Sequence, residues 1–260
     1  MLIKPKKKLG QNFLTNEKIL DKIVKSGDIT GKDNILEIGP GTGNLTKYLI
    51  KARPKSIIVI EKDADLVDYL NLKFKDTVRV IKGDVLSLPE NFFIKKFKVF
   101  GNLPYNISTK ILSNWCLSKN IRFEKLILMF QKEVADRIIA EENTKNYSRI
   151  TVFSNWKFDI RKIIDINPDN FYPAPKVQSS VLEFIPKQKI PKIRDPRNLE
   201  HITRVLFNQR RKMIKKNFFK LFNNFDEILK IADIKLTDRP QNISVKKFLN
   251  LVIEYEKNLN

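Results

Sequence analysis

The chain has 260 residues, of which 42% are hydrophobic, so it can bury the core of one large domain or of a large domain with a smaller one. Its single cysteine, Cys116, excludes an internal disulfide and suits a reducing compartment, and no run approaches the roughly 20 apolar residues of a membrane span. Lys and Arg outnumber Asp and Glu by 50 to 29, and the net charge of +21 favours a polyanionic partner, nucleic acid ahead of an anionic membrane surface.

The chain begins with a basic stretch, MLIKPKKKLGQNFL. This stretch lacks the apolar segment of a secretory signal, so we expect a cytoplasmic protein. A second basic run, FNQRRKMIKK, lies at residues 207–216. Both runs are candidates for contacts to phosphate groups, although a solvated surface explains most individual lysines equally well.

Short apolar runs rich in β-branched residues alternate with helical patterns through the first two thirds of the chain. The runs lie at 34–39, 56–61, 78–84, 98–102 and 125–130, with helical patterns between them, as at 45–51 and 64–74. This alternation predicts an α/β fold with a mainly parallel sheet and right-handed crossovers. Residues 158–166 and 179–186 predict further strands that close the sheet with an antiparallel pair, and we interpret 149–156 as a helix.

The pattern changes after Ile185. The segment PKQKIPKIRDP, at 186–196, spaces three prolines through a basic stretch that is typical of a linker. Beyond it we find no strand pattern, and helical runs lie at 198–222, 225–234 and 244–259. We therefore predict a catalytic domain at 1–185, with a basic N-terminal arm, and a small all-helical domain at 186–260.

A glycine-rich turn, ILEIGPGTGNLT, joins the first run of the predicted sheet to a helix. Its glycines let the backbone turn sharply and approach a ligand closely. A dinucleotide fingerprint fails because Asn44 stands where the third glycine is needed, and a Walker A loop fails because no Gly-Lys-Ser/Thr follows. An acidic residue followed by GxGxG resembles motif I of S-adenosylmethionine methyltransferases.

Two acids follow later strands of the predicted sheet. Glu61 ends the second strand, about 20 residues beyond the glycine turn, where a carboxylate can accept both hydroxyls of a ribose. Asp84 follows the third strand, where it can accept from an adenine amino group. Either acid alone is equally well explained as a helix N-cap or a solvated loop residue. Together with the glycines they predict a cofactor pocket beyond the carboxyl ends of the strands.

The stretch NLPY, residues 102–105, follows the fourth strand on the same edge. It resembles the [D/N/S]-P-P-[Y/F/W] motif of methyltransferases that act on exocyclic or amide nitrogens. The Asn102 side-chain carbonyl and the Leu103 backbone carbonyl can accept both N–H bonds of an adenine amino group, which favours a nitrogen with a usable lone pair. Pro104 stiffens the turn, and Tyr105 offers a flat surface for a base.

A purely structural interpretation of NLPY is a turn before a helix at 108–117, with Ser108 or Thr109 as its N-cap. The capping explains the hydroxyl residues but not the asparagine. Metal chemistry has little support, because the only histidine is His201 and no Cys/His cluster is present.

Several stretches together are similar to one family, the KsgA-type (RsmA) small-subunit rRNA adenine N6,N6-dimethyltransferases. They are KKKLGQNFL, LEIGPGTGNLT, VIEKD, GNLPYNIST, QKEVADRI, FYPAPKVQSSV, FNQRRK and NISVKKF, which extend from about residue 6 to residue 250. The resemblance implies a Rossmann-like methyltransferase sheet with a helical C-terminal domain, S-adenosyl-L-methionine as cofactor, S-adenosyl-L-homocysteine as product and no metal. It implies two adjacent adenines in the 3′-terminal hairpin loop of small-subunit rRNA as substrate, and a role in small-subunit biogenesis.

The resemblance also implies roles for individual residues, with Tyr105 and Phe171 sandwiching a flipped adenine. The catalytic positions are Asn102, Leu103, Pro104, Tyr105 and Phe171, and the cofactor-binding positions are Gln11, Asn12, Leu14, Gly39, Gly41, Glu61, Lys62, Asp84, Val85 and Asn102. We expect RNA contacts at Lys6, Lys7, Lys8, Lys176, Arg210, Arg211 and Lys212. The last three lie on a predicted helix whose buried stripe includes Val205, Leu206, Met213 and Phe218. One departure is Ala174, which replaces a proline of the family's F-x-P-P-P-K-V and loosens the loop that carries Phe171.

Two other functions stay open. Erm-type methyltransferases of large-subunit rRNA share nearly the same motifs, but NLPY, FNQRRK and NISV favour the small-subunit enzyme. A mainly non-catalytic ribosome assembly factor would keep the fold, and the intact Glu61, Asp84 and Asn102 argue against it. We expect a monomer that binds the small ribosomal subunit and its rRNA, with no membrane partner.

Overall fold

The structure is a computed structural model that describes residues 5–6, 9–94, 96–119, 121, 123–223 and 225–259. Its strands are β1 (Phe13–Leu14), β2 (Asn34–Ile38), β3 (Ser56–Glu61), β4 (Arg79–Lys82), β5 (Phe97–Asn102), β6 (Phe123–Gln131), β7 (Phe158–Ile166), β8 (Phe171–Tyr172) and β9 (Ser179–Pro186). Its helices are α1 (Glu17–Lys25), α2 (Asn44–Lys51), α3 (Ala64–Phe74), α4 (Tyr105–Leu117), α5 (Lys132–Ile138), α6 (Arg149–Lys157), α7 (Pro196–Leu206), α8 (Lys215–Phe218), α9 (Phe225–Ala232) and α10 (Val245–Lys257).

The central sheet has seven strands in the order β4-β3-β2-β5-β6-β9-β7. Neighbouring strands from β4 to β6 run parallel, and β9 pairs antiparallel with β6. The predicted α/β class, mainly parallel sheet and antiparallel closure are therefore confirmed. Strands covered on both faces need apolar side chains on both faces, which is why they are continuous apolar runs. Ile35, Val59 and Val99 are all fully buried.

The strand order reverses at β2. β3 and β4 extend the sheet on one side of β2, and β5 pairs with its other side. Such a reversal leaves a crevice at the carboxyl ends of the two central strands. Ile38 at the end of β2 is paired with Gly101 near the end of β5. The topology therefore brings the glycine turn at 39–43 beside the loop that begins at Asn102.

A separate two-stranded ribbon fixes the N-terminal arm. β1 pairs antiparallel with β8, with Phe13 opposite Tyr172 and Leu14 opposite Phe171. Just beyond β1, the backbone N–H of Thr15 donates to the Asn170 carbonyl at 2.9 Å. The Asn16 side chain donates to Asn170 Oδ1 at 2.7 Å, and its own oxygen caps the first turn of α1. Side-chain and backbone bonds thus support a ribbon of very short strands.

The contacts divide the chain into two compact units. The first comprises 1–111, 120–135 and 160–186, and the second comprises 112–119, 136–159 and 187–260. The first unit ends at Pro186, one residue from the predicted boundary. The second unit also includes two internal segments that the sequence analysis assigned to the catalytic domain.

Helix α10 is the central helix of the second unit and packs against α6, α7 and α9. Its residues Phe248, Leu251 and Val252 are fully buried, and the Ser244 side chain caps its first turn by accepting from the Lys247 N–H. α6 at Arg149–Lys157 confirms the helix predicted for 149–156.

The predicted helical position of the basic run was wrong for Arg210, Arg211 and Lys212. α7 ends at Leu206, a 3-10 turn covers Phe207–Gln209, and the three basic residues lie in the turn that follows. The backbone N–H groups of Ile214 and Lys215 donate to the carbonyls of Asp238 and Leu236, so long-range bonds replace the helical ones. Leu206 and Phe218 are buried as expected, but Met213 is 58% exposed and is not part of a buried stripe.

The predicted start of the helix after NLPY was also wrong. α4 begins at Tyr105, because the Pro104 carbonyl already accepts from the N–H groups of Ile107 and Ser108. Ser108 is buried in the first turn, and its hydroxyl donates to the Tyr105 carbonyl at 3.2 Å instead of capping the helix. The helix therefore starts inside the motif and fixes the Tyr105 backbone.

Candidate active site

A cleft of about 240 Å³ opens at the carboxyl edge of the parallel strands in the first unit. Its walls are the N-terminal arm, the glycine turn, the ends of β3 and β4, and the loop after β5. It is lined by all the predicted cofactor-binding residues, namely Gln11, Asn12, Leu14, Gly39, Gly41, Glu61, Lys62, Asp84, Val85 and Asn102. The predicted catalytic residues Leu103, Pro104 and Tyr105 also line it. Strand ends that are far apart in sequence therefore form one pocket.

The glycine turn needs glycine at Gly41 for two separate reasons. Its φ of 57° lies in the left-handed region that side chains with a Cβ rarely adopt. A Cβ added there would also lie 2.6 Å from Cδ1 of Phe13, because the arm crosses the turn at this point. The N-terminal arm therefore packs directly on the glycine turn, and the two form one wall of the cleft.

Glu61 is held in place by backbone donors. Its Oε2 accepts from the Gly41 N–H at 3.3 Å, and its Oε1 accepts from the N–H groups of Lys62 and Asp63 at 2.8 and 2.9 Å. Burial raises the pKa of this carboxyl, and the three N–H bonds oppose that rise. A carboxylate has about four acceptor positions, so it can still accept from a ligand hydroxyl.

Asp84 is oriented by two donors of its own. Its Oδ1 accepts from the Leu86 N–H at 2.9 Å, and its Oδ2 accepts from Lys62 Nζ at 2.9 Å. Partial burial acts to raise the pKa of Asp84, but these bonds outweigh it and hold the pKa below its usual value. Asp84 is therefore an ionised acceptor at the edge of the cleft.

Glu37 lines the cleft and was not among the predicted site residues. It is the acidic residue that precedes the glycines, so the motif I pattern was the signal that could have found it. Its carboxyl is 2% exposed and accepts from the Thr46 hydroxyl at 2.6 Å. Burial raises the pKa of Glu37 to about 8. A neutral acid therefore lies at the base of the cleft near pH 7.

The loop after β5 presents a fixed amide and a fixed ring. Asn102 Nδ2 donates to the Asn12 carbonyl at 2.9 Å, so Oδ1 is the atom of this amide that can accept from a substrate. Leu103 is 1% exposed, which anchors the loop in the core. The Tyr105 hydroxyl lies 2.6 Å from Ser179 Oγ, and burial raises the pKa of this phenol. The geometry suits recognition of a planar group that carries N–H donors.

The N-terminal arm is fastened to the rim of the cleft by charge. Lys6 Nζ lies 2.5 Å from Asp63 Oδ1 and 2.7 Å from Asp65 Oδ2. Gln11 joins the same cluster, since its Nε2 donates to Asp63 Oδ2 at 2.9 Å and its Oε1 accepts from the Lys6 N–H. Asp63 is a second residue that the sequence analysis missed, and its partner Lys6 lies 57 positions away.

The remaining predicted contacts lie elsewhere. Phe171 is 5% exposed, belongs to the core cluster and is not among the described residues that line the cleft. Lys176, Arg211 and Lys212 are exposed, and Lys6 is already paired with carboxylates. Lys7 and Lys8 lie outside the described residues. The base-binding role of Phe171 and the RNA contacts stay predictions.

The described part of the chain offers neither a metal centre nor a membrane-spanning helix. No group of three or more His, Cys, Asp or Glu residues there could hold a metal ion. Within the same residues, no helix has both the length and the apolar character needed to cross a membrane.

The family model described as ribosomal RNA adenine dimethylase matches residues 3–257. The chain belongs to the ribosomal RNA adenine dimethylase family. The resemblance carried by motifs such as GQNFL and GNLPYNIST is thereby confirmed. Members of this family are methyltransferases, which agrees with a cleft built from motif I and NLPY residues rather than from a dinucleotide fingerprint.

Relatives and solved structures agree with this family assignment. The chain is 51% identical over 259 residues to ribosomal RNA small subunit methyltransferase A of Pelagibacter ubique, covering 98% of both chains. It is 41% identical to the protein of the same name from Wolbachia sp. subsp. Drosophila simulans, covering 98% of this chain and 95% of that one. A dimethyladenosine transferase structure from Plasmodium falciparum matches with a TM-score of 0.79 at 28% identity, over 94% of this chain and 98% of that chain.

The fold is also shared with a methyltransferase of 23S rRNA. The structure of the 23S rRNA methyltransferase ErmE matches with a TM-score of 0.69 at 22% identity, covering 94% of this chain and 98% of that one. At this identity the match shows the fold alone. The relatives that share far more of the sequence are named small subunit methyltransferase A, and they favour the small-subunit enzyme over the Erm-type alternative.

Proposed function

We propose that this chain transfers methyl groups from S-adenosylmethionine to the N6 amino groups of two adjacent adenines in the 3′-terminal hairpin loop of small-subunit rRNA. The observation that carries the proposal is the amide of Asn102, which lies at the end of β5 with its Nδ2 bonded to the arm and its Oδ1 available to a substrate. The same cleft carries Glu61 and Asp84, the acceptors that a nucleoside cofactor needs. Relatives named small subunit methyltransferase A support the choice of rRNA.

The residues of the cleft fit S-adenosylmethionine. Glu61, oriented by the Gly41 N–H, can accept from ribose hydroxyls, and Asp84 can accept from the adenine amino group. Glycine at Gly41 lets the arm pack on the turn that borders the pocket, because an added Cβ would lie 2.6 Å from Cδ1 of Phe13. When bound, the cofactor supplies a methyl group on a sulfonium, which is already activated for transfer.

The chain's own residues then act on the substrate nitrogen. The adenine amino lone pair is delocalised into the ring, so it is a weak nucleophile. The carbonyls of Asn102 and Leu103 can accept its N–H bonds and favour a pyramidal nitrogen, while Tyr105 supports the ring. Positioning of this kind can supply much of the rate without a strong base. Burial raises the pKa of Glu37 to about 8 and also raises the pKa of Tyr105, so neither side chain would serve as a strong base at neutral pH.

The partner proposed for the second unit is the rRNA of the small subunit, contacted through exposed basic residues such as Arg211 and Lys212. Contacts to phosphates give affinity and position without reading sequence. The specificity for adjacent adenines then depends on which loop reaches the cleft. We place this activity in the cytoplasm, with the monomer as the active form.

The test is incubation with radiolabelled S-adenosylmethionine and purified unmethylated small subunits, beside large subunits as the matched control, followed by mapping of the labelled bases. The expected result is label on two adjacent adenines of the small-subunit rRNA, with dimethyladenosine as the product. Exclusive labelling of the large subunit would reverse the substrate assignment. Tight binding to small subunits with no label in either rRNA would indicate that the protein is a non-catalytic binding factor and not an enzyme.

A further inference from the structure

One face of the β1–β8 ribbon carries a buried aromatic residue, and the other face carries an exposed one. Residues directly opposite each other in an antiparallel pair share a face, and successive residues along a strand alternate between faces. Leu14 and Phe171 are such a pair, and both are 5% exposed within the core cluster. Phe13 and Tyr172 form the other pair, so their side chains lie on the opposite face. Tyr172 is 65% exposed.

Phe13 shows where that second face points. It lines the cleft, and its ring lies over the glycine turn, within 2.6 Å of where a Cβ at Gly41 would be. Tyr172 lies directly opposite Phe13 in the ribbon, so its side chain is on the same face as Phe13, the face that borders the cleft. The ribbon is fastened next to this point by the bonds from Thr15 and Asn16 to Asn170.

Packing does not account for the tyrosine. A ring this exposed contributes little to the core, whereas its neighbour Phe171 contributes fully. The exposed side chain of Lys176 adds a positive charge to the connection between β8 and β9. An exposed aromatic ring beside a cleft is suited to an unpaired nucleobase.

We infer that Tyr172 is a stacking platform for an unpaired RNA base at the mouth of the cleft, the nucleotide beside the one that enters it. The inference rests on the proposed function, because it takes a single-stranded rRNA loop as the ligand. Tyr105 lines the interior and is the ring for the entering base, while Tyr172 is not among the described residues that line it. Phe171 can offer its ring only by leaving the core, so of the two neighbouring aromatics Tyr172 is the accessible one.

Stacking uses the face of the ring and not its hydroxyl. Tyr172→Phe should therefore behave as the unchanged protein, and Tyr172→Ala should raise the KM for unmethylated small subunits about tenfold, as loss of one stacked base predicts. The kcat and the affinity for S-adenosylmethionine should stay within about twofold, since Tyr172 is not among the described residues that line the cleft. A merely structural role would instead lower the unfolding temperature.

The experiment compares Tyr172→Ala, Tyr172→Phe and Leu72→Ala, whose side chain is 73% exposed on α3 and serves as the matched control. Steady-state methyl transfer, S-adenosylmethionine titration and thermal unfolding are measured for each. In parallel, a hairpin RNA with 2-aminopurine beside the target adenine reports stacking directly through quenching. The expected pattern is a raised KM and lost quenching in Tyr172→Ala only.

Equal impairment of Tyr172→Phe, or an unchanged KM and unchanged quenching in Tyr172→Ala, would overturn the inference. Loss of quenching in a Phe171→Leu variant that keeps Tyr172 and the unfolding temperature would assign the platform to Phe171 instead. If the unchanged protein labels no small-subunit adenine, the proposed function fails, yet the quenching assay still decides whether Tyr172 stacks on RNA.

Discussion

Both compact units bury carboxylates, but the surroundings of those carboxylates differ. In the first unit, Glu37 and Glu61 lie at the carboxyl ends of parallel strands and line a cleft. In the second, Glu256 on α10 is 4% exposed and accepts from the N–H groups of Arg194 and Asp195 and from the Asn198 amide, at 2.7–2.9 Å. The second carboxylate thus fastens the segment before α7 to α10.

Burial of a carboxylate therefore does not by itself indicate a functional site. Glu61 and Glu256 each accept three hydrogen bonds from their own chain, and removing either acceptor would leave N–H groups unpaired. They differ because Glu61 also lines the cleft. A buried carboxylate that faces a cavity keeps acceptor positions for a ligand. Replacing a carboxylate of each kind should therefore have a different effect.

Replacing Asn102 by Ala should lower the kcat for methyl transfer by about 10³, because the substrate amino group loses its side-chain acceptor at the reacting centre. Binding to small subunits should change by less than about threefold, since phosphate contacts dominate affinity. Single-turnover transfer and subunit co-sedimentation are the measurements. Asn71→Ala on the exposed face of α3 is the matched control.

Retained activity in Asn102→Ala would refute the assigned role of the amide. A parallel loss of transfer and of subunit binding would instead indicate that the loop after β5 holds the RNA rather than the reacting nitrogen.

Replacing Glu37 by Gln should change how stability depends on pH. The folded pKa of about 8 lies above the ordinary 4.5, so the folded state holds more protons between these values and stability falls as pH rises through that window. Each pH unit there changes the free energy of unfolding by up to about 1.4 kcal/mol. Glu37→Gln keeps the acceptor for Thr46 and should flatten this dependence, as measured by urea unfolding of the cofactor-free protein from pH 5 to pH 8.

Glu17→Gln is the control for Glu37→Gln. The hydrogen bond from Lys47 holds the pKa of Glu17 below its usual value, so this carboxyl is ionised in both states throughout the window and its loss should leave the slope unchanged. An unchanged slope in Glu37→Gln would mean that Glu37 is ionised in the folded protein and that the base of the cleft is more polar than its burial indicates.

Replacing Glu256 by Ala should destabilise the protein by about 2–3 kcal/mol, because two backbone N–H groups and one amide lose their buried acceptor. The affinity for S-adenosylmethionine should be unchanged, since its proposed residues all lie in the first unit. Glu227→Ala on the exposed side of α9 should stay within about 0.5 kcal/mol. Denaturant unfolding measures the stability, and cofactor titration measures the affinity for S-adenosylmethionine. A weakened cofactor affinity without destabilisation would contradict the purely structural role of Glu256.

The cleft was largely predictable from the sequence because its residues follow strands. Apolar runs buried on both faces are recognisable without a partner, and parallel strands end on one edge, so Glu61, Asp84 and Asn102 had to converge. Glu37 marks motif I before the same glycines, but its place inside an apolar strand did not indicate that its carboxyl would line the cleft.

The remaining features depend on pairings that sequence patterns do not encode. Lys6 was predicted to contact RNA, and in the structure it is paired with Asp63, 57 residues away. Arg210 to Lys212 were predicted to be helical, but the N–H groups of Ile214 and Lys215 donate to the carbonyls of Asp238 and Leu236, respectively, and the helix is interrupted. The choice between Phe171 and Tyr172 depends on the register of β1 against β8, where a shift of one residue exchanges the buried and exposed faces.

The smallest expected effect concerns the basic turn after α7. Replacing both Arg211 and Lys212 by Ala should weaken binding to small subunits only a few-fold at physiological salt, because each exposed side chain makes at most one phosphate contact. The slope of log affinity against log salt should become shallower by about 1.5, at roughly 0.7–0.9 per lost contact. Filter binding of small subunits across a salt series measures both quantities.

Lys32→Ala combined with Lys55→Ala removes the same charge from exposed positions of the first unit and is the control for general electrostatics. If both double variants shift the slope equally, the net charge of +21 attracts RNA without a defined surface and the turn has no special role. A shallower slope in the Arg211 and Lys212 double variant alone would indicate that the second unit binds the ribosomal subunit. The cofactor affinity of that variant should be unaltered, since the proposed cofactor residues all lie in the first unit.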